Sequence, residues 1–171
     1  MLSYLIKYLC IILILVSCSR HYSYFPISIK GEKGISIECE YDIKEMIVRN
    51  ILKRGPYPGD IYLSFGEENS KNIDPPRSFL KRLEDLELQI KPISEKSAES
   101  DREIFILTVE VPYWNSDTEA KVIVRTFHHA TLEQWYENRG IEYGWVRMSG
   151  VARWSEGVWR LAILDRHSVR S

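Results

Sequence analysis

Several things that would declare a function are missing from this chain. There are three cysteines in 171 residues, and only Cys39 lies well away from the N-terminal apolar run. There is no long hydrophobic stretch. The run from Tyr8 to Val16 is nine residues, and Lys7 separates it from Leu2–Ile6, whereas a membrane-spanning helix needs about 20 apolar residues. No charge sign dominates: 23 basic and 24 acidic residues leave a net charge of −1, which disfavours a general nucleic-acid binder. No internal repeat is visible, and there is no G-x-S-x-G, no phosphate-binding loop and no dinucleotide fingerprint. No cofactor is therefore expected, and the balance is against an enzyme.

What is present begins at the N-terminus. Lys7, the apolar run and then Leu15-Val16-Ser17-Cys18 have the order of a secretory leader: basic start, a core of about 7–15 apolar residues, then small residues. The ending resembles the lipobox of bacterial lipoproteins. The resemblance implies that residues 1–17 are a signal peptide and that Cys18 becomes a diacylglycerol-bearing N-terminus. Two acyl chains anchor a protein stably, whereas one binds only marginally at about 0.8 kcal/mol per buried methylene. The alternative is an uncleaved anchor helix with an incidental cysteine. Ser19, rather than Asp, implies the periplasmic face of the outer membrane in a host with two membranes. Cys10 would leave with the leader and Cys18 would carry lipid. Cys39 then has no partner within the chain: it could pair between chains or serve as a small buried apolar side chain.

Residues 18–34 are expected to form a lipidated N-terminus and linker, made sticky by Tyr22, Tyr24, Phe25 and Pro26. Residues 35–171 are expected to form a single α+β domain, long enough for a real core. A first helix is predicted over Asp42–Arg54 or from slightly earlier, with Asp42 and Glu45 at capping-box spacing. Its apolar stripe is Ile43, Met46, Ile47 and Ile51. A strand follows at Ile61–Phe65, then a polar loop over Glu67–Asn72. A short helix is opened by Asp74-Pro75-Pro76 and buries Phe79, Leu80 and Leu83. Leu88–Lys91 is a short strand. Beyond it the chain is nearly all strand: Phe105–Val111, Ala120–Phe127, Glu142–Trp154 and Val158–Asp165, with a polar hinge at Thr131–Gly140. Links of turn length imply antiparallel neighbours. The expected fold is two helices packed on a mainly antiparallel sheet, which Gly144 and Gly150 would allow to curl.

The run Ile61-Tyr62-Leu63-Ser64-Phe65-Gly66, Asp74-Pro75, Phe79-Leu80, Arg82-Leu83 and Ile90-Lys91-Pro92-Ile93-Ser94, closed by Gly157-Val158-Trp159, resembles a diffuse group of small exported bacterial proteins. That group brings no catalytic residues to transfer, and the Thr131–Gly140 hinge departs from it.

Three features compete as sites. His128-His129 is conspicuous, but strand neighbours point to opposite faces, so a shared metal is disfavoured. The aromatics Trp135, Tyr136, Tyr143, Trp145, Trp154 and Trp159 sit near Arg139, Arg147 and Arg153; they could stack on a sugar or peptide or simply pack. Of these, Trp135, Tyr136 and Arg147 are the binding candidates. The carboxylate pairs Glu67-Glu68 and Glu84-Asp85 fall in a loop and at a helix end. Charge is also uneven: Glu32–Glu119 holds 12 basic and 19 acidic residues, whereas Ala120–Ser171 holds 8 and 5. A basic surface toward anionic lipid or glycan or a plain solvated sheet face would both account for that. The function expected is a membrane-tethered, non-enzymatic envelope binding domain for a protein or glycan. The alternative is a small-ligand pocket or hydrolase on a curled sheet.

Overall fold

The computed structural model of the chain describes residues 26–53, 55, 60–68, 71–96, 104–129 and 144–169. The N-terminal apolar run, Cys18 and residues Thr131–Gly140, expected as a hinge, lie outside the described residues. In chain order the elements are β1 (Ile29–Lys30), α1 (Ile37–Leu52), β2 (Asp60–Ser64), β3 (Glu67–Glu68), β4 (Lys71–Asn72), α2 (Arg77–Lys81), β5 (Ile90–Pro92), β6 (Ile104–Ser116), β7 (Glu119–His129), β8 (Gly144–Ser155) and β9 (Val158–Val169). Seven strands form one strongly curled half-barrel sheet in the order β1-β9-β8-β7-β6-β2-β5. The fold is α+β, with two helices and a mainly antiparallel sheet.

Helix α1 starts earlier than its capping-box spacing implies. Ser36 is the cap, and its Oγ accepts a hydrogen bond from the Cys39 backbone N–H at 3.2 Å, a contact worth about 1 kcal/mol. Glu38 and Glu40 lie in the first turn, where carboxylates oppose the positive end of the helix dipole. Asp42 is inside the helix and binds Arg82 at 2.8 Å instead. Cys39, Ile43, Met46, Ile47 and Ile51 are all buried along one side, at the spacing that keeps one helical face inward. Each large apolar side chain among them contributes about 1.5–3 kcal/mol through burial.

Strand β2 departs from the antiparallel expectation: it runs parallel to both β5 and β6. Parallel neighbours require a crossover, and α2 lies on the connection from β2 to β5. Strands β6 to β9 form the expected antiparallel meander. Asp74 does not cap α2, where Pro76 precedes the first turn without a side-chain bond; its Oδ1 accepts from the Ser94 N–H at 3.0 Å. The polar stretch after β2 contains the two-residue strands β3 and β4. Ile93–Glu95 forms a short 3-10 turn.

Helix α1 packs against β6 on one side and against β9 and β1 on the other. A helix that touches strands so far apart in the sheet must lie inside its curl. Small residues allow this approach: Val122 is opposite Gly150 and Ala120 opposite Ala152, and all four are buried. Register shifts at Glu110/Tyr113 and Ser149/Gly150 bend the long strands where the sheet turns.

The lead-in segment is part of this packing. Asn50 binds both polar groups of Ile27, accepting from its N–H at 3.0 Å and donating to its carbonyl at 2.8 Å. Indole N–H groups of Trp154 and Trp159 donate to the carbonyls of Gly31 and Glu32 at 2.9 and 3.2 Å. Two tryptophans from the aromatic cluster thus clasp the incoming chain. Helix α2 and the turn after it, whose Phe79 and Leu83 join the same core, are clamped to α1. Arg82 binds Glu38 and Asp42, and Arg49 binds Glu45, Asp85 and the carbonyl of Arg82.

Candidate binding face

The two faces of the sheet have different occupants. Phe105, Leu107, Val109, Val122, Val124, Met148, Trp159 and Leu161 face α1 and belong to one buried cluster with it. Side chains of alternate parity point outward. At one end of that outer face Tyr62, Ile93, Ile104 and Ile106 form a small apolar cluster, with Phe127 packed against it. The Tyr62 hydroxyl donates to Asp60 at 3.4 Å, and burial pushes its pKa above the ordinary tyrosine value. Lys91 binds Asp60 at 2.9 Å, so this group is an ion pair beside a buried phenol.

Further along, the outer face carries two cross-strand arginine pairs. Arg125 on β7 is opposite Arg147 on β8, and Arg153 on β8 is opposite Arg160 on β9. Directly opposed residues lie about 5 Å apart at Cα and share a face. Like charges so placed repel unless counter-charges intervene. The second pair is balanced: Glu119 binds Arg153 at 2.7 Å and Glu156 lies 3.5 Å from Arg160. Asn115 and Arg153 together hold the Glu119 carboxyl below the usual carboxylate range, Asn115 having the larger effect.

The first pair is only half balanced. Arg125 is bound by Glu110. Arg147 is exposed, and among the described residues no carboxylate lies within 4 Å of it. Glu110 passes close to the turn that follows β2. Gly66, at φ +115°, follows that strand, and a Cβ there would meet Glu110 Cγ at 2.9 Å, so only glycine gives the glutamate its room. Between the two arginine pairs, Lys121 lies 5.2 Å from the ring centroid of the exposed Tyr113.

Of the binding candidates from sequence, Arg147 is on this face; Trp135 and Tyr136 lie outside the described residues. What the sequence did not single out was its partner Arg125 with Glu110. The signal was there as alternation in β7, but pairing across strands depends on register. His128 is buried at the curl side, its ring edge-on to Phe105 at 6.1 Å between centroids. The side chain of His129 lies outside the described residues. No group of three metal-ligating side chains occurs among the described residues. Cys39 is buried, and its thiol donates to the Glu32 carbonyl at 3.4 Å. Of the carboxylate pairs, Glu67 and Glu68 are exposed on β3, and Asp85 serves the clamp to Arg49.

A groove of about 300 Å³ lies beside α2 and the edge strand β5. Leu80, Leu83, Leu88 and Ile90 line it, with Arg77, Lys81 and Glu84 at its margin. No helix among the described residues is long and apolar enough to cross a membrane. Comparison with protein-family models, with curated proteins and with solved structures finds no match to this chain.

Proposed function

We propose that this chain is a lipid-anchored bacterial envelope protein whose domain binds a partner protein without catalysing a reaction. The observation that carries the binding role is the contrast between the two sheet faces. The inner one is filled by the chain's own helix, and the outer one presents the exposed Arg147 beside Arg125, with Glu110, bound to Arg125, the one carboxylate paired with either among the described residues. The anchor rests on the Leu15–Cys18 pattern. Eight residues lie between Cys18 and Ile27, where Asn50 holds the chain, so the linker reaches about 30 Å at most. The partner would then sit close to the membrane.

The runner-up, a ligand pocket or hydrolase inside the curl, has less support. Trp159, Leu161, Met46 and Ile47 occupy that space with no measurable exposure. The groove beside α2 is lined by Leu80, Leu83, Leu88 and Ile90 with Arg77, Lys81 and Glu84, a set without a nucleophile and base pair.

Two measurements test the proposal. Full-length wild type and a Cys18→Ala variant are expressed in a bacterial host with labelled palmitate. Label and membrane partitioning in the wild type alone support the anchor, and label in neither removes it. Crosslinking in intact envelopes followed by detergent extraction then tests the binding role. Recovery of no protein that depends on the outer sheet face would defeat it.

A further inference from the structure

We infer that the Arg125/Arg147 pair is the docking point for a carboxylate of an acidic protein segment. This deepens the binding role proposed above, and it rests on that reading for its place in the envelope. The two arginine pairs are each other's control. Both oppose guanidinium groups across antiparallel strands. Among the described residues, one has a carboxylate for each arginine, and the other has one carboxylate for two. The unmatched arginine is also the exposed one. A carboxylate arriving at Arg147 would complete the pattern already built at Arg153 and Arg160, and a guanidinium fork takes a carboxylate through two parallel N–H donors.

The chemistry of the face favours a protein segment over the other anionic partners. Glu110, Glu119 and Glu156 are interspersed with the basic groups, so a uniformly anionic membrane would meet repulsion at three points. A glycan stacking here would use an exposed aromatic ring, and the one exposed aromatic among the described residues of this face, Tyr113, already has Lys121 near its ring. A folded or extended protein can set its charges point by point to match this mixed pattern.

The test uses the full chain in detergent micelles, with a fluorescent decapeptide of alternating Glu and Gly as probe and its Gln counterpart as blank. Anisotropy is read at low ionic strength. The Glu peptide is expected to bind over the Gln peptide. Arg147→Gln is expected to weaken it about tenfold and Arg147→Lys severalfold, because an ammonium cannot make the bidentate contact. Arg160→Gln, taken from the balanced pair, is expected to change it less than about twofold, well short of the tenfold that one strong charged contact represents. Equal losses for Arg147→Gln and Arg160→Gln would reduce the effect to net charge and overturn the inference. No preference for Glu over Gln would overturn it as well. Phosphatidylglycerol vesicles are titrated in parallel: Arg147-dependent vesicle binding without Arg147-dependent peptide binding would transfer the site to lipid and refute the protein partner. The assay needs no membrane anchor, so failed palmitate labelling removes the envelope address and leaves this result standing.

Discussion

The two faces of the curled sheet share the same strands and the same backbone, yet opposite forces organise them. On the inner face, Leu107, Val109, Val122 and Leu161 have essentially no exposure, and the side chains of α1 complete the layer. Burial there is non-directional and scales with area. On the outer face, beyond the small apolar cluster of Tyr62, Ile93, Ile104 and Ile106 at one end, the described order comes from paired charges set by strand register: Arg125 with Glu110, Arg153 with Glu119. Such pairs in reach of water are worth about 0–1 kcal/mol each. The inner face therefore holds the fold, whereas the outer one can exchange a partner at little cost to it. A residue such as Arg147, which neither packs nor pairs among the described residues, is more informative about binding than any member of the core.

This contrast can be broken in order of size. Trp159→Ala is expected to cost about 3–5 kcal/mol, because it empties the centre of the inner face and removes the donor to Glu32. Urea unfolding checks it, and a loss below about 1 kcal/mol would mean that the curl is not built around this residue. Arg49→Ala comes next. Its guanidinium is mostly buried and binds Glu45, Asp85 and the Arg82 carbonyl, so a loss of about 1–3 kcal/mol is expected, with α2 detaching first in hydrogen exchange. At the small end, a double-mutant cycle over Arg153 and Glu119 is expected to give a coupling below about 1 kcal/mol. A larger value would make the outer face structural.

Acid sharpens the comparison within the charge networks themselves. The Arg49 guanidinium lowers the pKa of Asp85, and Asn115 with Arg153 lowers that of Glu119. Their contributions are present above the unfolded carboxylate values and are lost as pH falls through the folded ones. Asp42 has the opposite sign. Burial raises its pKa despite the bond from Arg82, so its stabilising share is present below the unfolded value and is lost as pH rises through the folded one. At Arg82 burial opposes the charge, but Asp42 and its neighbours still hold the pKa above the ordinary value. Asp42→Asn is accordingly expected to cost little at neutral pH, or to stabilise, with any advantage vanishing in acid. Asp85→Asn should flatten the acid limb of the stability curve. Melting temperatures across pH decide both, and a steeper acid limb in Asp85→Asn would reverse the assigned sign.

Much of the fold was legible in the sequence because periodicity reports local geometry. The stripe Ile43, Met46, Ile47 and Ile51 and the alternation in β6 to β8 identified elements whose inward residues are indeed buried. Gly150 sits beside a register shift in the sheet, where an expected curl needed a permissive residue. The misses were local ambiguities that tertiary partners resolved. Asp42 with Glu45 and Asp74 before two prolines both have the spacing of a cap, but Arg82 and the Ser94 N–H engage those two aspartates instead. Ser36 caps α1 with no Glu or Gln at the third position, so it lacked the reciprocal signature.

By itself the sequence determined the fold class of the protein: helices with 3.6-residue stripes and strands with two-residue alternation, behind an apolar run ending in Leu-Val-Ser-Cys, with no motif that carries a known chemistry. Those properties depend on near neighbours along the chain, so they survive without a fold. Only the tertiary structure decided that β2 runs parallel to both its neighbours, that α1 lies inside the curl, and that Arg125 meets Arg147 while Arg153 meets Arg160. Each of these depends on register between segments tens of residues apart. A shift of one residue would move every outward charge to the other face, and nothing local in the chain encodes which register wins.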